Sequence, residues 1–158
     1  MKYWFDTEFI ESSRHLDLIS IGIVSEDGRE LYLENAEVDW SRASDWVIAN
    51  VKPYLTGNTI SRFEMAQRIK RFIGYDSPEF WGYFADYDWV LFCWLFGRMV
   101  DLPKGWPMFC RDVMQYAEHV HCPRSRFPQQ EGVAHNALDD AIWTKQVWEY
   151  ISRWEAGK

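Results

Sequence analysis

Two acidic residues, Asp6 and Glu8, interrupt an otherwise apolar and aromatic segment over residues 1–10. Such a segment is typical of a β-strand, and side chains alternate between the two faces of a strand. Both carboxylates therefore point the same way, where they repel each other and lose hydration if the strand is buried. A divalent cation such as Mg²⁺ or Mn²⁺ relieves both effects, because these ions prefer hard oxygen ligands. The pair alone leaves open an exposed edge strand whose acids face water.

A second acidic pair, Asp86 and Asp88, lies where a predicted strand over 80–85 gives way to a predicted helix over 86–99. At about 100° per residue, Asp88 shares a helix face with the apolar residues that follow it. Asp86 falls at the N-cap position, where a carboxylate accepts hydrogen bonds from free backbone N–H groups. We therefore expect Asp88 to point inward and Asp86 to cap the helix. The boundary leaves the reverse assignment open.

A third acid, Asp140, and a histidine, His135, stand at the start of a last predicted helix over 136–154. Asp140 lies within the apolar stripe of this helix, whereas Asp139 points to nearly the opposite side. A single histidine before a helix is usually structural. His135 precedes an inward acid by five residues, which favours a role beside whatever Asp140 binds. Inward carboxylates with one adjacent histidine are typical of a two-metal hydrolytic site with a general base.

These motifs resemble those of the DEDDh exonucleases, a group within the ribonuclease H-like superfamily. The first motif corresponds to Asp6-Thr7-Glu8, the second to residues 84–88, and the third to His135 with Asp140. Within that group, the runs over 5–11 and 18–22 are similar to the RNase AS family of bacterial 3′–5′ exoribonucleases, which is associated with polyadenylate tails. Phe9-Ile10 follows Glu8 in place of a Thr-Thr-Gly-like turn, which weakens any analogy with proofreading subunits.

The resemblance implies a metal site and a chemistry. Two Mg²⁺ ions, for which Mn²⁺ can substitute, are held by Asp6, Glu8, Asp88 and Asp140, and His135 takes a proton from the attacking water. The expected substrate is the 3′ end of single-stranded, adenylate-rich RNA, and nucleoside 5′-monophosphates are the products. The resemblance also suggests a homodimer. Single-stranded DNA as substrate, and a catalytically silent fold that binds RNA or a protein, are the alternatives.

Four residues are the candidates for contact with the substrate. Phe9 follows the first acidic pair and is well placed to stack on a terminal base, and Thr7 lies between the two acids. Arg124 and Arg126 belong to a Pro-containing loop over 122–132 that leads to His135, and we expect them to contact phosphates.

The remaining elements predict the fold that positions these residues. Strands are predicted over 1–10, 16–24 and 30–33, with a hairpin turn over 26–29, and together they form a three-stranded meander. Helices and strands alternate after it. We therefore expect an α/β, ribonuclease H-like fold in which helices cover both faces of a mixed central sheet, as one exonuclease domain over 1–158.

Composition limits the function further. The chain has 158 residues, 47% of them hydrophobic, and a formal net charge of −7. This charge argues against a protein that coats duplex nucleic acid, since such binding depends on phosphate neutralisation. Three cysteines without a Cys-x-x-Cys motif favour a reduced, cytoplasmic setting, and no apolar run is long enough to span a bilayer.

Two other groups of residues give weaker indications of a function. A predicted helix from Ser61 carries a basic face formed by Arg62, Arg68, Lys70 and Arg71. Such a charged face usually does no more than contact solvent. A contact with phosphate is left open. Cysteines and histidines over 110–122 do not predict zinc, because three of the four ligands crowd into 119–122.

Overall fold

A computed structural model describes residues 1–132 and 135–157, and a six-stranded mixed sheet forms its centre. The strands are β1 (Lys2–Ser12), β2 (His15–Ser25), β3 (Glu30–Asn35), β4 (Thr59–Ile60), β5 (Glu79–Gly82) and β6 (Arg111–Asp112), in the sheet order β4-β3-β2-β1-β5-β6. β1, β2 and β3 pair antiparallel as a meander, and the three other pairings are parallel. The predicted mixed sheet with its opening meander is confirmed.

Within residues 1–132 and 135–157, five α-helices accompany the sheet: α1 (Asp45–Asn50), α2 (Arg62–Ile73), α3 (Asp86–Trp94), α4 (Val113–His119) and α5 (Ala137–Ala156). Ser44 caps α1 and Ser61 caps α2, each by accepting a backbone N–H with its hydroxyl. α3 ends at Trp94, five residues before the predicted end, and the chain then turns through Gly97 at a φ of 114°. No helix within the described ranges is long and apolar enough to cross a membrane.

The alternation of side chains along β1 supplies cores on both faces of the sheet. Tyr3 and Phe5 pack in one cluster with residues of α2 and α3, whereas Trp4 packs in a second cluster with residues of α4 and α5. Helices therefore cover both faces, as predicted. Because side chains alternate, Asp6 and Glu8 share the α5 side with Trp4, and Thr7 lies on the α3 side.

The basic face of α2 is largely occupied by ion pairs. Arg62 pairs with the buried carboxylate of Asp17, and Arg68 and Arg71 both contact Glu64, at 3.0 and 2.9 Å. Lys70 lies over the ring of Phe96, 5.7 Å from its centroid. The structure therefore accounts for this face by pairs within the chain.

A close approach of α5 to the sheet depends on Gly22. In the β1–β2 register, Gly22 lies opposite Asp6. A Cβ atom at Gly22 would lie 2.2 Å from the carbonyl oxygen of Ala137 and 2.4 Å from the Cα of Leu138. Both are backbone atoms, so no change of rotamer relieves the clash. Gly22 thus allows the first turn of α5, which also carries Asp140, to reach the strand that bears Asp6.

Replacing Gly22 with Ala should lower the free energy of unfolding by about 3 kcal/mol or more, because α5 must move away from the sheet. Urea unfolding measures the loss. Gly157→Ala is the matched control, since a Cβ there meets its first neighbour at an ordinary 3.5 Å. Equal stability of the two variants would contradict the close approach.

Candidate active site

β1 places two of the predicted acids at the centre of the sheet. Asp6 pairs across with Gly22, and Glu8 pairs with Ser20. The register shifts between Glu8 and Phe9, which marks a β-bulge immediately after the second acid. Bulges bend a strand and change the direction of the side chains that follow. Phe9 is half-buried beyond the bulge, and its ring meets that of Tyr87 edge-on at 6.0 Å.

Asp88 is the inward acid of the second pair, as predicted. It is 7% exposed, and its Oδ1 accepts hydrogen bonds from the backbone N–H of Thr7 at 2.9 Å and from the Thr7 hydroxyl at 2.5 Å. These bonds attach the start of α3 to the middle of β1. Thr7 itself is 4% exposed, so its side chain serves Asp88 here, and its predicted contact with substrate stays a prediction.

The prediction that Asp86 caps α3 is wrong. Ala85 occupies the N-cap position without a side-chain cap, and Asp86 is the first helical residue and exposed. The backbone N–H of Ala85 instead donates to Asp112, a residue 27 positions later that also caps α4. A carboxylate supplied from a distant strand cannot be found from local spacing.

Asp140 and His135 meet Glu8 on the α5 side of the sheet. The backbone N–H of His135 donates to Asp140 Oδ2 at 3.2 Å, and the side-chain amide of Gln130 donates to Asp140 Oδ1. One potential ligand atom from each of Glu8, His135 and Asp140 lies within 4.8 Å of the others. The edge of the Trp46 ring also meets the imidazole of His135, with ring centres 4.8 Å apart.

Burial disfavours the charged form of all four acids, and nearby carboxylates add to this effect at Asp6 and Glu8. Burial, and then the charges of the other three carboxylates, raise the pKa of Asp6 well above its ordinary value. Burial and the nearby Asp140 raise the pKa of Glu8 to about 8. Burial also raises the pKa of Asp88 against the effect of the Thr7 hydrogen bonds, and that of Asp140 against the effect of Gln130.

No arginine or lysine in the described part of the chain forms an ion pair with any of these four carboxylates. A cluster of buried and half-buried carboxylate oxygens without ion-pair partners is the donor set that divalent cations prefer. The residues present therefore fit a magnesium or manganese site.

A cavity of about 280 Å³ opens beside the carboxylates. Asp6 and Asp140 form one part of its wall, and Tyr83, Arg124 and Trp143 form another. The guanidinium of Arg124 lies 5.7 Å from the ring centre of Tyr83 and 5.8 Å from that of Phe84. Arg124 thus lines the same cavity as two of the acids, and its predicted contact with phosphate stays a prediction. Arg126, in the same 3-10 turn, is exposed and does not line this cavity.

Two residues at the site have backbone angles that only glycine adopts freely. Phe84, before α3, has a φ of 54°, and His135, before α5, has a φ of 67°. Such conformations cost on the order of 1–3 kcal/mol and are concentrated at functional sites. They place both turns that lead into the acid-bearing helices under strain.

Several residues of this site escaped the sequence analysis. Gln130 and Trp46 come from segments without a motif, and only the fold brings them to Asp140 and His135. Tyr83 lies next to a recognised motif, but its hydroxyl is buried and finds no hydrogen-bond partner among the described residues.

The metal-free protein should lose stability as the pH rises from about 5 to 8. The raised carboxyl pKa values mean that the folded state holds more protons than the unfolded chain in this range. Stability then falls by up to about 1.4 kcal/mol per pH unit for each such group. Urea unfolding in EDTA measures the slope. Glu8→Gln should flatten it, whereas Glu118→Gln on the exposed face of α4 should not. A flat or rising profile for the unsubstituted protein would contradict the electrostatic repulsion.

Comparison of the sequence with known proteins identifies its family. The family model of the 3′–5′ exoribonuclease Rv2179c-like domain matches residues 1–152. Two relatives from strains of Mycobacterium tuberculosis, the 3′–5′ exoribonucleases Rv2179c and MT2234.1, are each 40% identical over 148 residues, which cover 89% of this chain and 87% of theirs.

Among solved structures, exonuclease I superposes with a TM-score of 0.61 at 11% identity, over 94% of this chain and 42% of that chain. That likeness shows the fold, which is ribonuclease H-like. The extent and identity of the sequence matches show more: this chain belongs to the Rv2179c-like 3′–5′ exoribonuclease family, a family of nucleases.

Proposed function

We propose that the protein removes nucleotides from the 3′ end of single-stranded, adenylate-rich RNA by the DEDDh two-metal mechanism. The observation that carries this proposal is the cluster of Asp6, Glu8, Asp88 and Asp140, whose pKa values are raised. No arginine or lysine among the described residues forms an ion pair with them. Membership of an exoribonuclease family supports the type of reaction, and the carboxylate cluster is its proposed location.

The four carboxylates would hold two divalent cations, with Asp6 and Glu8 on β1 facing Asp140 on α5. Bound there, such cations lower the pKa of a water molecule and stabilise the charge that develops on the leaving 3′-oxygen. Thr7 fixes the orientation of Asp88, and Gln130 and the His135 backbone fix that of Asp140. Fixed ligands of this kind reduce the reorganisation that the reaction requires.

His135 is the proposed general base. Its backbone bond to Asp140 and its ring contact with Trp46 hold the imidazole beside Glu8 and Asp140. The residue is also exposed, so a proton taken from the attacking water can pass to solvent. The in-line attack breaks the terminal phosphodiester bond and releases a nucleoside 5′-monophosphate.

Contacts with the substrate follow from the surroundings of the cluster. Arg124 is the proposed phosphate contact, which its position in the adjacent cavity supports, and Phe9, whose ring meets Tyr87, is proposed to stack on the terminal base. Arg126 and Thr7 remain proposed contacts with less support, since one does not line the cavity and the other is buried. The homodimer suggested by the resemblance and the cytoplasmic location favoured by the cysteines also stay predictions.

Digestion of 5′-labelled oligo(A), oligo(U) and the matched DNA, with and without Mg²⁺, tests the proposed function. We expect stepwise shortening from the 3′ end only with Mg²⁺, fastest on oligo(A). Equal turnover of RNA and DNA would contradict the substrate assignment. Metal binding without cleavage of any oligonucleotide would favour a silent binding domain.

Asp88, and not Asp86, should be required for cleavage. Asp88→Asn keeps an oxygen that accepts the Thr7 hydrogen bonds but removes the charge. We expect a loss of rate on the order of 10³-fold, as removal of a metal ligand costs several kcal/mol of transition-state stabilisation. Asp86→Asn on the exposed first turn is the matched control and should retain near-normal kcat. The opposite pattern would show that the second motif has been misassigned.

His135→Ala should lower kcat by about 10²–10⁴-fold, the usual contribution of a general base. The Mn²⁺ affinity, measured by isothermal titration, should hardly change, because His135 acts on water. His119→Ala, an exposed histidine on α4, provides the control for both measurements. A large fall in Mn²⁺ affinity would show instead that His135 is a metal ligand, which its closeness to Glu8 and Asp140 permits.

A further inference from the structure

A groove of about 290 Å³ runs between the turn that joins β1 to β2 and one face of α3. We call it the hairpin groove; its principal lining residues are Glu11, Arg14, His15, Tyr87, Val90 and Trp94. We propose that the hairpin groove binds the RNA nucleotides immediately upstream of the 3′-terminal one. This inference rests on the proposed function and adds to it the path of the substrate.

The groove begins beside the carboxylates. Tyr87 directly precedes Asp88, and its ring contacts Phe9, the residue after Glu8. From Glu8 to Ser12, β1 advances by about 13 Å along the groove wall. The groove therefore starts at Tyr87, the residue next to Asp88, and continues away from the acids along the end of β1.

The helix face in the groove is apolar and exposed. Tyr87, Val90 and Trp94 are spaced i, i+3 and i+7, so they lie on one face of α3 over two turns. Tyr87 is 48% exposed and Trp94 52% exposed. Leu91 and Phe92 of the same helix fill the core, and neither Tyr87 nor Trp94 belongs to that cluster. The exposed rings therefore have no role in that core, and exposed aromatic rings beside a nuclease site provide stacking platforms for bases.

The polar groups of the groove suit a nucleotide as well. Arg14 forms no ion pair within the described residues, and Glu11 is the single acid that lines the groove. The Nε2 atom of His15 is buried and finds no partner in the part of the chain that the structure describes. Arg14 is exposed and is therefore the polar group of the groove that can reach a phosphate.

A second route for the RNA is conceivable along a larger cavity of about 570 Å³. Lys70, Tyr75 and Lys104 line it, at the end of β1 that is remote from the acids. This cavity offers positive charge, whereas the hairpin groove offers stacking. In a chain with a net charge of −7, binding near the acids by stacking avoids the need for a basic track. The position of the hairpin groove next to Asp88 favours it over the lysine cavity.

Cleavage of oligo(A) of two to eight nucleotides by variants of the full chain tests the proposal. For the unsubstituted protein, we expect KM to fall as the RNA lengthens. Trp94→Ala should remove most of this fall and raise KM for the eight-nucleotide RNA about tenfold, since one stacked base contributes about 1–3 kcal/mol. Trp94→Phe keeps a ring and should restore most of the length dependence. Phe63→Ala removes a 73% exposed ring on α2, away from the groove, and should behave like the unsubstituted protein.

Each failure has a distinct meaning. If the unsubstituted protein cleaves no RNA, the proposed function is wrong and the hairpin groove assignment fails with it. If it cleaves RNA but Trp94→Ala keeps the full length dependence, only the groove assignment is wrong. A rise in KM with Lys104→Glu and none with Trp94→Ala would place the RNA in the lysine cavity. Tyr87→Ala repeats the test should Trp94→Ala unfold in a thermal melt.

Discussion

Mutual repulsion among four carboxylates is the constraint on which this structure depends. Three elements supply the acids Asp6, Glu8, Asp88 and Asp140. Burial raises the pKa of each of these carboxyl groups. A fold gains nothing in stability by gathering such groups, because each loses hydration and opposes the charge of the others. Protons can offset the charge in the metal-free fold, and divalent cations are the proposed means in the working protein. The remainder of the fold supplies the rigidity that brings the acids together.

That rigidity has identifiable sources. β1 is buried on both faces, so its direction and its alternation are fixed by two cores. Gly22 allows α5 to lie directly on the sheet, and the hydrogen bonds from Thr7 hold Asp88 against β1. The strained backbones of Phe84 and His135 are tolerated because the surrounding packing determines them. Elements that are individually ordinary thus hold an electrostatically unfavourable cluster in place.

Much of the site could be predicted from the sequence, because periodicity specifies which way a side chain faces. The alternation of β1 places Asp6 and Glu8 on one face, and the helical stripe of α3 turns Asp88 inward, as the structure shows. Periodicity does not specify which elements meet. Contacts between residues that are far apart in the sequence determine the roles of Gly22, Gln130 and Trp46.

Local signals also failed at element ends. Asp86 is of a residue type that commonly caps helices. At the start of α3, however, the backbone N–H of Ala85 donates its hydrogen bond to Asp112. The two-residue strand β4 exists only through its pairing with β3, so its sequence carries no distinct pattern. The hairpin groove likewise depends on how a hairpin and a helix are juxtaposed, which spacing along either one cannot reveal.

The most direct test of the central claim is a crystal structure of the protein grown with Mn²⁺ and examined by anomalous scattering. If the carboxylate cluster exists to hold cations, two anomalous peaks should lie among Asp6, Glu8, Asp88 and Asp140, and each peak should contact at least one of these side chains. A Glu8→Gln variant under the same conditions should weaken or lose a peak. The absence of any peak at the cluster in the unsubstituted protein, with Mn²⁺ in excess, would contradict the account.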